Sequence, residues 1–121
     1  MKRKLLLFLL SICFFLPDFA ATGQYNFIRV DGGSGLSNSH VKSIIQDSYG
    51  FIWLGTRNGL NRYDGKHVDK FNTQPFNIHS ISGSTITSLF HRNGKLWVLN
   101  TEGLDLFDLN TLQANRISKL V

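Results

Sequence analysis

Polar and apolar positions alternate along this chain in short bursts, each closed by a turn signal. Past residue 23 no stretch keeps a helical period, so the pattern predicts strands. Val41–Gln46 reads as a first strand. Asp47-Ser48-Tyr49-Gly50 then places Asp first and Gly last in a turn. Phe51–Gly55 is apolar on both faces, as a strand between two layers must be. Asn58-Gly59 supplies a left-handed turn residue before a strand at Leu60–Tyr63. Asp64-Gly65 is a strong short hairpin signal, and His67–Phe71 follows as a fourth strand. The series then recurs: Thr85–His91, turn Asn93-Gly94, Lys95–Asn100, turn Glu102-Gly103, Leu104–Asp108, and a weaker strand near Ala114–Ser118.

The recurrence is a true internal repeat. Gly50 and Gly94, Trp53 and Trp97, Gly59 and Gly103, Leu60 and Leu104, Tyr63 and Phe107, and Asp64 and Asp108 are each 44 residues apart. Ahead of the glycines the offset is 45: Leu36 with Ile81, Ser37 with Ser82, Val41 with Ile86, Ile44 with Leu89, Ile45 with Phe90. The second copy therefore lacks one residue between Ile86 and Gly94. Four antiparallel strands recurring every 40–45 residues or so is the signature of β-propeller blades. The expected fold is all-β, with two four-stranded antiparallel blades of an incomplete ring. Residues 35–79 form the first blade and 80–121 the second. Residues 24–34 are a leader, in which alternating Tyr25–Val30 is expected to be the closing strand of a last blade. Rings need about 4–8 blades. Two blades thus require further blades of a longer chain, or other copies.

The first 23 residues read as an address. Met1-Lys2-Arg3-Lys4 is a positive start, Leu5–Leu16 a short apolar run, and Ala20, Ala21 and Gly23 are small residues at a cleavage junction. Together they predict a secretory signal peptide, cut after Gly23 or Ala21, and export to the periplasm. The apolar run is shorter than the ~20 residues of a membrane span. The lone cysteine, Cys13, lies inside that run, so the exported chain has no disulfide framework.

Composition narrows the function. Hydrophobic residues make up 42% and charged residues 17%, a balance too apolar for disorder. The net charge is +5, but Lys2, Arg3 and Lys4 sit in the address against Asp18 alone. The remaining 10 basic and 7 acidic residues argue for no nucleic-acid partner. His40, His67, His79 and His91 are not at metal-ligand spacing, and no metal or other cofactor is expected. Gly32-Gly33-Ser34-Gly35 has no helix behind it to hold a phosphate and reads as a flexible loop. Asp105 to Asn110 lacks the Gly and Glu of a calcium loop. Asp47-x-x-Gly50-x-x-Trp53 reads as a folding element, Trp53 and Trp97 as blade packing, and Arg57, Arg62 and Arg92 as solvated turn residues. No catalytic set is assembled, so no enzyme is expected, and the ligand-binding residues are unknown at this level.

Gly35-Leu36-Ser37 with Val41, then Asp47, Gly50, Ile52-Trp53-Leu54-Gly55-Thr56, Gly59-Leu60 and Tyr63-Asp64-Gly65, resembles the two-component regulator propeller repeat. The second copy departs from it: Leu99-Asn100 stands for Gly-Thr, and Ser80-Ile81-Ser82 for Gly-Leu-Ser. The resemblance implies the first blades of the periplasmic sensor half of a Bacteroidetes hybrid two-component regulator. A full-length parent would carry a membrane helix and a histidine kinase, neither present in this chain. It further implies an oligosaccharide ligand, a glycan breakdown product, bound by the complete propeller. The alternative is a carbohydrate-binding, lectin-like propeller assembled from several short chains.

Overall fold

The computed structural model of the chain describes residues 2–3 and 23–119. The signal peptide expected at 1–23 therefore lies almost wholly outside the described residues. The first sheet consists of β1 (Val41–Gln46), β2 (Ile52–Thr56), β3 (Gly59–Tyr63) and β4 (Val68–Phe71). The second consists of β5 (Ile86–Arg92), β6 (Lys95–Asn100), β7 (Gly103–Asp108) and β8 (Gln113–Lys119). Each is an antiparallel meander in chain order, the topology expected of one blade. The eight expected blade strands all form, with ends moved by at most one residue, whereas the strand expected at Tyr25–Val30 does not.

The core lies between the two sheets. Trp53 is fully buried, with its ring 5.6 Å from Phe71 and 5.4 Å from Phe107, and the two phenylalanines are 5.0 Å apart. One aromatic from each of β2, β4 and β7 thus meets at a single joint. Ile86, Leu89, Leu96 and Val98 complete it from the second blade. Backbone approach is close there. The Leu89 amide donates to the Ser43 hydroxyl (3.0 Å) and the Gly59 amide to the Ser84 carbonyl (2.7 Å).

Both inner strands carry a bulge at the same place, between Val41 and Ser43 and between Ile86 and Ser88. One extra residue shifts the side-chain alternation. Val41 and Ile44, and likewise Ile86 and Leu89, therefore share a face at a spacing of three instead of two.

Residues 23–30 form no strand, and Tyr25, Phe27 and Ile28 are exposed. The loop expected to be flexible at Gly32–Gly35 contains a 3-10 turn, Gly32–Ser34. The Asp31 carboxylate caps it by accepting from the Gly33 and Ser34 amides, and the Ser34 and Leu36 amides also donate to the Asp31 carbonyl.

Candidate functional site

Each blade is tied to the segment that enters it by a buried polar cluster at equivalent positions. In the first blade the Asn61 carbonyl oxygen accepts from the Ser37 amide (2.9 Å). The Asn61 amide group donates to the Ser37 hydroxyl (2.8 Å) and more distantly to the Leu54 and Gly59 carbonyls. Thr56 completes the set through its hydroxyl, 3.0 Å from that of Ser37. In the second blade Asp105 replaces Asn61 and Asn100 replaces Thr56. One Asp105 oxygen accepts from the Ser82 amide (2.7 Å), the Ser82 hydroxyl (2.9 Å) and the Asn100 amide (2.8 Å). The other Asp105 oxygen is buried without a hydrogen-bond partner. Sequence reasoning misses these clusters, although a signal for them exists: the 44- and 45-residue offsets align Ser37 with Ser82 and Asn61 with Asp105.

Asp47 is a second device, confined to the first blade. Its carboxylate accepts from the Tyr49 amide (2.8 Å), the Phe51 amide (3.0 Å) and the Trp53 indole N–H (2.7 Å). The turn and the joint tryptophan are locked together, as the folding-element reading expects. The second blade replaces this turn by the tighter Asn93-Gly94 pair, both at positive φ. Trp97 has no such clamp and is only half-buried.

The basic candidates do not converge. Arg57 is exposed, and its carbonyl accepts from the Thr85 hydroxyl. Arg62 is a strand residue rather than a turn residue. It is bonded to Asp69 (2.7 Å), with its guanidinium 4.6 Å from the Phe51 ring centroid. Arg92 ends β5, exposed. His40, His67 and His79 lie exposed in separate loops, and His91 is half-buried on β5. Among the described residues no three His, Cys, Asp or Glu side chains are grouped as a metal would need.

What remains as a candidate is the loop that crosses from one blade to the next, residues 72–85. It walls a groove of ≈ 470 Å³ that includes Thr73, Gln74, Asn77, Ser80, Ser82 and Arg116. The loop is self-braced: the Asn77 amide donates to the Gln74 side-chain carbonyl (2.7 Å), and the Ser80 hydroxyl donates to the Asn77 carbonyl (2.9 Å). Arg116 makes no ion pair among the described residues. Hydroxyls, amides and one cation, with Pro75 and Ile78 beside them, suit a polar ligand with an apolar edge.

Residues 35–58 match the two component regulator propeller family. This propeller repeat covers β1, β2 and the turn after them. A histidine kinase of Formosa agariphila is 42% identical over 57 residues, which is 47% of this chain and 4% of that protein. The crystal structure of the extracellular domain of a protein described as a hybrid two component system of B. thetaiotaomicron superposes with a TM-score of 0.68 at 28% identity. The match covers 77% of this chain and 13% of that one. Residues 23–119 are thus all-β, two open four-stranded sheets matching part of a larger propeller domain, and no kinase domain lies in the matched part.

Proposed function

We propose that this chain is the N-terminal part of a periplasmic, ligand-sensing β-propeller of a hybrid two-component regulator, and that it has no catalytic activity of its own. The observation that carries the reading is the 28% identical superposition on an extracellular domain described as belonging to such a system. The positive, apolar and small-residue sequence of residues 1–23 supports export. We assign residues 24–34 to the closing strand of a last blade. Three large apolar side chains exposed on an unpaired segment support that.

The ligand class proposed is an oligosaccharide. The groove beside the 72–85 loop supports it, because sugars offer many hydroxyls to amides and hydroxyls and an apolar ring face to residues such as Ile78. Calorimetric titration of the chain with neutral and acidic oligosaccharides tests this. Binding of at least one, weakened tenfold or more by Gln74→Ala with Arg116→Ala at unchanged Tm, is expected. Affinity unaffected by that pair would place the ligand elsewhere. N-terminal sequencing of the exported product should begin at Gln24 or Thr22.

A further inference from the structure

The joint between the blades contains a knob and a hole. Gly55 lies on the face of the first blade that meets the second. A Cβ added there would lie 2.5 Å from Ile86 Cγ2 and 3.0 Å from Ile86 Cβ. Ile86 therefore sits where only a glycine leaves room.

The same joint can be traced outward by the repeat offset. Ser43, Ile45, Trp53, Gly55 and Leu60 of the first blade correspond to Ser88, Phe90, Trp97, Leu99 and Leu104 of the second. Those second-blade residues share one face, since Ser88 pairs with Leu99 and Leu99 with Leu104, while Phe90 pairs with Trp97. That face is turned away from the joint, with Phe90 57% and Leu99 40% exposed. At the other end, the free face of the first blade carries Val41, Ile44, Leu54 and Tyr63, which correspond to the joint residues Ile86, Leu89, Val98 and Phe107. Ile44 there is 65% exposed. Each free face thus has the apolar pattern of one half of the existing joint.

One position breaks the match. Leu99 stands where Gly55 makes the hole. A second copy of this chain would bring Val41 to the place of Ile86, and valine has the same Cβ and Cγ2 that leave no room for a Cβ at Gly55. In the geometry of the existing joint, Leu99 and Val41 collide. We propose that the free face of the second blade is the seat of a further four-stranded blade of this repeat type that carries glycine at the position of Val41 and Ile86, and that this same face rejects a second copy of the chain. Knob and hole exchange sides at this joint: Leu99 is the knob. The inference rests on the fold and the repeat, and is independent of any ligand.

The probe is the chain itself carrying Val41→Gly, which puts the required small residue on the first-blade face. Sedimentation equilibrium of the full chain, Val41→Gly and Leu99→Gly is compared, each with and without Ile44→Arg. Ile44 is exposed, so the arginine blocks the face without disturbing the core. Both single variants should self-associate at least tenfold more tightly than the unaltered chain, and Ile44→Arg should abolish the gain. Val41→Gly mixed with the unaltered chain should also associate, the altered first-blade face of one seating Leu99 of the other. Association of the unaltered chain as tight as that of the variants, or no gain in either variant, would overturn the proposal. Circular dichroism of each variant checks that the sheets persist.

Discussion

A few single side chains carry much of what holds this molecule together. Trp53 is fully buried between the sheets and its indole N–H is bonded to Asp47. Trp53→Ala should cost about 3–5 kcal/mol in urea unfolding, in the range for truncating a large buried aromatic. Trp97, half-buried on the free face, should cost about half as much. Asp47→Ala would leave two amides and the indole N–H without their acceptor, and about 2–3 kcal/mol is expected for stranding such donors. Asp105 behaves in the opposite sense. Its buried second oxygen has no partner, whereas Asn61 at the equivalent place uses an amide group to reach two carbonyls. Asp105→Asn keeps the acceptor for Ser82 and puts an amide group where the unpartnered oxygen stands, as in Asn61. A rise of roughly 1 kcal/mol is expected by the same measurement.

Within the elements, turns are held by carboxylates that stay ionised. Asp64 is held below the usual carboxylate range by the His67 and Lys66 amides that it accepts from. Asp108 is held down by the Lys95 ammonium and then by the Asn110 and Thr111 amides. A carboxyl whose pKa is lowered by folding contributes stability above its unfolded pKa, and that contribution fades as pH falls through the folded value. Both turns should therefore loosen only in acid, below the ordinary carboxylate range. NMR titration of the two carboxyl carbons should give midpoints below those of the urea-unfolded chain.

The strands are legible in the sequence because turn residues such as Asp64-Gly65 and Asn93-Gly94 punctuate them and because the second copy repeats the first. The bulges are not. An apolar pair three apart, Val41 and Ile44, is ambiguous until the partner strand sets the register. The buried clusters around Asn61 and Asp105 are hidden for a related reason. Asn, Ser and Asp read as loop or surface residues, and only tertiary closure removes them from water. The groove along residues 72–85 depends on how that loop crosses the joint, which local pattern does not encode.

For the whole molecule, the decisive feature is that two sheets share one core. Gly55→Ala should push Ile86 out of its seat and cost about 1–3 kcal/mol, the usual penalty of overpacking. Because the clash lies in the joint and each sheet keeps its own pairing, the damage should fall on the coupling between blades. Hydrogen exchange should show amides of β1 and β5 losing protection together, while β6 and β7 keep theirs. Equal loss across all eight strands would mean that the blades do not act as separate units.

The exchange of hole for knob between Gly55 and Leu99 also bears on how such a protein is made. A growing chain of near-identical blades offers each new one several similar surfaces, and docking on the wrong neighbour is a characteristic failure of repeat proteins. Glycine at one surface and leucine at the next give successive blades different steric passwords. A blade that skips its place meets a collision instead of a seat. On the proposal above, the order of the blades is checked as synthesis proceeds, by a difference of one side chain.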